Sequence, residues 1–238
     1  MSAAHFRKLA RAASRLYPPN DRFARHFAYG KLTRDPAFRA LLERGLIAPR
    51  ARLVDLGCGQ GVLEALLLAA RESHRRGEWP AHWPAPPDPR AMHGVDLSGR
   101  DIARAHEACG DAATFVRGDI RASDFGEAGT VVILDVLHYI DYAAQDEVLL
   151  RVRAALGRCG VLLVRVGDRS RSARFFVTDL VDRIVMRLRG HRLERLYCRA
   201  VSEWRARLAE LGFRVDPLPM SQGTPFANVL LVARYDAP

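Results

Sequence analysis

The stretch RLVDLGCGQGVLEALLLAA, residues 52–70, sets three glycines between a short apolar run and a longer helical one. The first run is β-branched and apolar enough for a buried strand, and the apolar spacing after Gly61 is helical. Glycine at alternate positions lets the joining turn adopt backbone angles closed to other residues, and lets a ligand lie against the main chain. A strand entering a helix through so short a turn favours a strand–helix–strand layout, in which the helix carries the chain back to a parallel neighbour.

The rest of the chain repeats that rhythm. Strand patterns fall at 52–56, 93–97, 114–117, 130–135, 161–166, 213–217 and 229–234, with helical patterns at 62–72, 99–108, 145–156 and 203–211. The last helix has Ser202 as its expected N-cap and Gly212 just past its end. Such alternation predicts an α/β fold with a mainly parallel sheet covered on both faces; the last two strands are close enough in sequence to form an antiparallel edge hairpin. Three segments stand outside it. Residues 1–48 are expected to form an N-terminal helical cap ahead of a domain spanning 49–238. A proline-rich stretch at 74–91 suits neither helix nor central strand and is expected to be a surface insertion. The segment 169–200 is a further insertion.

Composition narrows the class. At 238 residues the chain is long enough for one α/β domain with a full core. No apolar run approaches the roughly 20 residues of a membrane helix, and the N-terminus lacks the apolar core of a signal peptide. The cysteines Cys58, Cys109, Cys159 and Cys198 are scattered with no C-x-x-C pair, which argues for reduced thiols in the cytoplasm and against a metal site. The net charge of +10 is almost all arginine, since Lys8 and Lys31 are the only lysines. It makes an acidic partner, whether nucleic acid, membrane surface or protein, a class to test.

At the turn, Gly57-Cys58-Gly59-Gln60-Gly61 has the spacing G-x-G-x-G rather than the dinucleotide fingerprint G-x-G-x-x-G. The amides at the start of the following helix favour an anionic group, while Asp55, two residues before the first glycine, suits an ammonium. Asp96 ends the second strand in HGVDLS, where a carboxylate can accept both hydroxyls of a ribose. Asp119 follows the third in FVRGDI, placed to accept from an adenine amine with apolar Ile120 beside the ring. Acids at three successive strand ends, one beside a glycine turn, describe an adenosine carrying an amino acid better than NAD.

With these residues in view, the chain resembles the class I S-adenosylmethionine-dependent methyltransferases. VDLGCGQG is similar to that family's first motif, GVDLS to its second, VRGDI to its third and VVILDVLHYID to its fourth; LAELGFRVD and NVLLVAR resemble its closing helix and strands. The resemblance implies a Rossmann-like seven-stranded sheet of order 3-2-1-4-5-7-6 with strand 7 antiparallel. It implies S-adenosyl-L-methionine as cofactor and S-adenosyl-L-homocysteine as product. Asp55, Gly57, Cys58, Gly59 and Gly61 would hold the methionine end, Asp96 and Leu97 the ribose side, Asp119 and Ile120 the adenine, and Leu134 and Asp135 the sulfonium side. A weaker resemblance points to methyltransferases found beside aryl-polyene and polyketide pathways, hence to secondary metabolism.

His138, just past the fourth strand, is the candidate general base or substrate contact, because imidazole titrates near neutrality. Tyr139 is a candidate pocket wall. Arg165 interrupts an apolar strand and needs a partner there: Asp135, Asp168 or an anionic substrate group. The resembled family's base-amino methylation and carbon-5 pyrimidine methylation patterns are missing, which leaves a small, apolar or aromatic acceptor and makes nucleic acid a minor expectation. Within 169–199, nine arginines stand against three acids around an apolar helical stripe. That segment is expected to be a lid over the acceptor; docking of its stripe on the core, an anionic membrane surface, and an acidic acyl-carrier protein presenting the acceptor are the other readings. A non-catalytic cofactor-binding protein and an RNA methyltransferase remain as alternatives.

Overall fold

The computed structural model describes residues 2–167, 196–220 and 228–235. Its centre is a seven-stranded sheet of order β3-β2-β1-β4-β5-β7-β6. The strands are β1 (Arg52–Leu56), β2 (Ala91–Asp96), β3 (Thr114–Arg117), β4 (Ala128–Leu134), β5 (Leu156–Gly167), β6 (Arg214–Pro219) and β7 (Asn228–Tyr235). β1 through β5 run parallel, and β7 lies antiparallel between β5 and β6. The tips of β1, β2, β3 and β4 therefore share one edge, with Asp55, Asp96, Asp119 and Asp135 at or just beyond it; Asp168, the other acid considered for Arg165, lies outside the described residues.

Helices cover both faces. α1 (Ser2–Ser14), α2 (Arg22–Arg34), α3 (Pro36–Glu43), α4 (Val62–Arg75) and α5 (Gly99–Cys109) share a buried cluster with Leu53, Val132, Leu163 and Val232. α6 (Tyr142–Ala155) and α7 (Val201–Glu210) pack with Val54, Val131, Ile133, Leu162 and Leu231. Successive strand residues enter opposite clusters, as the two-residue period of a strand dictates. The shift from Leu53 to Val54 in β1 is enough to change faces.

Two local expectations are corrected. α7 begins before Ser202, with Ala200 as N-cap, because the Glu203 carboxylate reaches back to accept from the Ala200 N–H at 2.6 Å. β5 begins at Leu156, five residues before the apolar run at 161: Gly157 and Gly160 disguise its first part, and Cys159 takes φ +61° where the register with β4 shifts. The expected insertion at 74–91 is shorter than that, because α4 runs to Arg75 and β2 starts at Ala91; residues 76–90 between them have neither helix nor strand, yet they carry a buried ring. Trp83 is 7% exposed and meets His5 of α1 edge-on at 5.6 Å, with Trp79 5.2 Å away. The expected amphipathic helix around 177–188 lies outside the described residues. Among the described residues no helix is long and apolar enough to cross a membrane.

Candidate functional site

The glycine turn is fastened from below and from the side. The N–H groups of Gly57 and Cys58 both donate to the Val95 carbonyl, at 2.7 and 3.1 Å, so the turn hangs on the tip of β2. Gly57, Gly59 and Gly61 have φ of +81°, +54° and +74°. At Gly57 a methyl group would collide with the Val136 side chain, whereas a Cβ built on Gly59 meets no atom within 4 Å. The turn is thus closed on the Val136 side and open above Gly59. Gln60, 3% exposed, sends its amide to the Ala24 carbonyl of α2 at 2.9 Å, and the buried Tyr17 hydroxyl donates to the Gln60 carbonyl at 2.9 Å. These two bonds hold the N-terminal helices against the ligand edge.

Asp96 stands over the open part of the turn. Its carboxylate accepts from the Gly59 N–H at 2.9 Å and the Ser98 N–H at 2.8 Å; Ser98 in turn caps α5. Leu97 beside it is 57% exposed. Asp119 is engaged by Arg121, whose guanidinium nitrogens lie 2.5–3.0 Å from its oxygens, and this bond holds the carboxyl below its ordinary range. Ile120 is buried. Sequence reasoning placed Asp119 at this edge but not Arg121 upon it, because an exposed arginine two residues away gives no spacing signal.

Two buried acids flank the turn, one at the tip of β1 and one in the first turn of α4. Asp55, at 5% exposure, is pushed well above the usual carboxylate range by burial and then by the neighbouring Glu64 and Asp96 charges. Glu64, in the first turn of α4, is fully buried, and burial raises it to about 7. Neither of its oxygens has a hydrogen-bond partner. The signal for Glu64 was in the sequence, as one acid within VLEALLLAA. Burial, followed by the acids Glu64, Asp55 and Asp96, likewise raises the Cys58 thiol.

At the tip of β4 the chain turns sharply. Asp135 has φ +60°, a left-handed angle that costs a side-chain-bearing residue of order 1–3 kcal/mol and persists only under strong local constraint. The constraint is a four-membered ion network. Arg165, 3% exposed on β5, donates from Nε to Asp135 Oδ1 at 2.7 Å, bonds Asp135 Oδ2 through a second nitrogen and pairs with Asp35. Lys31 lies 3.0 Å from Asp35 and 3.4 Å from Asp135. Burial would raise Asp135, but the Arg165 and Lys31 charges outweigh it and hold the carboxyl well below its usual range. Asp35 ends α2, caps α3 through the Ala37 N–H at 3.0 Å, and bears the ion pairs. The Asp-Pro sequence at 35–36 signals such a helix start; the pairing with Arg165 has no sequence signal.

His138 and Tyr139 form a short 3-10 turn after β4, with rings 4.1 Å apart. Buried Gln145 fixes that turn, its amide lying 2.9 Å from the Leu137 carbonyl and 2.8 Å from that of Tyr197. His138 and Arg165 line one cavity of about 10 Å³ with Val166, Tyr197, Cys198 and Trp204, room for roughly one water. Leu134 is half-buried against the core. Among the described residues no group of three His, Cys, Asp or Glu side chains is placed to hold a metal ion.

The fold is shared with solved structures. Magnesium protoporphyrin IX methyltransferase from Synechocystis PCC 6803 with bound SAH superposes over 93% of this chain and 92% of its own, with a TM-score of 0.60 and 19% identity. The chain has the class I methyltransferase fold. An O-methyltransferase family protein from Burkholderia thailandensis shares the methyltransferase fold at a TM-score of 0.61 and 18% identity, over 96% of this chain and 64% of its own. In sequence, the chain is 35% identical over 130 residues to carboxy-S-adenosyl-L-methionine synthase from Chromohalobacter salexigens. The match takes in 50% of this chain and 43% of that relative's length. No family model matches the chain.

Proposed function

We propose that the protein is an S-adenosyl-L-methionine-dependent methyltransferase acting on a small, apolar or aromatic acceptor. The observation that carries this reading is the bare turn at Gly59, open to a ligand and flanked by Asp55 and Asp96 at successive strand tips. An amino-acid-bearing nucleoside fits that donor set: Asp55 flanks the turn for its ammonium, Asp96 stands at the tip of β2 for ribose hydroxyls, and Asp119, Ile120 and Leu97 border the adenine side. The bound cofactor would supply an activated methyl carbon on a sulfonium.

The chain's own residues would then have to align an acceptor with that carbon, and such positioning can lower a barrier by about 7–11 kcal/mol. Asp135 and Leu134 border the sulfonium side. His138 stands where an acceptor hydroxyl would lose its proton, with Tyr139 as a wall beside it. Arg165 is committed to Asp35 and Asp135, so its role here is to hold Asp135 rather than to meet an acceptor. A flat aromatic acceptor agrees with the neighbour named for magnesium protoporphyrin IX. The arginines of 169–199 favour an acidic partner, such as an acyl-carrier protein presenting the acceptor in secondary metabolism. All four cysteines are free thiols, which suits the reducing cytoplasm.

Calorimetric titration with S-adenosyl-L-homocysteine tests the reading. Micromolar binding is expected, and Asp96→Ala should remove it. No heat with either cofactor form would overturn the assignment, and binding without methyl transfer over a broad acceptor panel would make the protein a cofactor-binding accessory instead.

A further inference from the structure

We propose that Glu64 and Asp55 work as one carboxyl pair flanking the glycine turn, which gives up a proton when the ammonium end of an amino-acid nucleoside binds there. Glu64 would thereby set the pH range over which the cofactor is held. The inference rests on the cofactor reading above and adds to it a residue that never touches the ligand: Glu64 acts through Asp55 and is a positioning residue.

Every other acid at this edge has a donor. Asp96 has the Gly59 and Ser98 amides, Asp119 has Arg121, and Asp135 has Arg165 and Lys31. Glu64 is 0% exposed with both oxygens unsatisfied, and neither it nor Asp55 takes part in an ion pair among the described residues. The titratable groups around them are Tyr17 after α1, Cys58 of the turn, Asp96 of β2 and Cys109 at the end of α5. None is a cation. Their protons are directed elsewhere: the Tyr17 hydroxyl to the Gln60 carbonyl at 2.9 Å, the Cys58 thiol to the Gly59 carbonyl at 3.6 Å, and the Cys109 thiol to the Gly61 carbonyl at 4.0 Å.

Leu53 and α4 share one buried cluster, so the two-residue period of β1 puts Asp55 on the α4 side of the sheet, where Glu64 is also out of water. Two buried carboxyls on one side with no counter-cation among the described residues resist double ionisation, and in this proposal they hold one proton between them. Burial raises both groups, in agreement. An ammonium arriving over Asp55 replaces that proton as the compensating positive charge. Both folded-state carboxyls are raised without ligand and lowered with it, so affinity must rise with pH as the shared proton becomes easier to lose.

Titration of the whole protein with S-adenosyl-L-homocysteine at about pH 5.5 and about pH 7.5, in buffers of differing ionisation enthalpy, reads this directly. Affinity is expected to increase about tenfold between the two, with close to one proton released per ligand bound. 5′-Methylthioadenosine keeps the nucleoside and lacks the ammonium, and its affinity should stay flat. Glu64→Gln should bind S-adenosyl-L-homocysteine like the wild type at the lower pH and lose the increase at the higher one. A full increase retained in Glu64→Gln, or wild-type binding that releases no proton, would overturn the proposal. If Glu64→Gln does not fold, the wild-type proton count alone decides. Absence of binding by either ligand at both pH values would overturn the cofactor reading, and this inference with it.

Discussion

Arg165 shows how one residue can be half-legible. A guanidinium inside VLLVRVGD demands a partner, and Asp135, the acid at the neighbouring strand tip, was open to inspection. Asp35 was not, because the two residues are 130 positions apart and only the docking of α2 and α3 on the sheet joins them. The network balances two cations against two acids, with Arg165 the most buried member. Arg165→Leu would leave both acids without their main counter-charge, and urea unfolding should show a loss of about 3–5 kcal/mol. The pH dependence follows from Asp135, whose carboxyl is depressed in the folded state. Its contribution is complete above the ordinary aspartate value of about 4 and drains away as the pH falls toward the depressed one. Arg165→Leu should flatten that acid-side decline.

Among elements, the turn between β1 and α4 offers the sharpest contrast. Gly57 and Gly59 are both left-handed, but a side chain at Gly57 strikes Val136 while one at Gly59 enters open space. Gly57→Ala should therefore lower stability by more than the roughly 1–2 kcal/mol of the backbone angle alone. Gly59→Ala should lose about that angular cost and fold, yet bind S-adenosyl-L-homocysteine at least tenfold more weakly, because its methyl occupies the face a ligand would use. Thermal unfolding beside calorimetry separates the two. β1 and the start of α4 were readable because their apolar spacing continues past the single acids Asp55 and Glu64. The start of β5 was hidden by glycines and a positive-φ cysteine, and α7 began early because a glutamate rather than a serine caps it. Local patterns record periodicity; they do not record which distant group supplies a bond.

At the scale of the whole molecule, the N-terminal helices do more than cover an edge. Phe6, Leu9, Tyr17, Leu32 and Leu41 belong to the same buried cluster as Leu66 of α4 and Ala105 of α5. A chain shortened to residues 49–238 would expose that surface and lose the Tyr17 and Ala24 bonds to the turn. Such a chain should show no cooperative melting transition, and size-exclusion chromatography should find it aggregated. We therefore treat residues 1–48 as part of the folded unit rather than as a removable cap.

Cys58 sits inside the turn, and Cys109 borders the same buried space. Burial, with Glu64 next in line, raises both thiols far above neutrality. Sulfur attacks carbon as thiolate, not as thiol. A protein that grips a reactive alkylating agent against its own main chain would thus keep its nearest nucleophiles disarmed, and be spared the self-inflicted damage that the same sulfurs would invite at a wetter, more cationic spot.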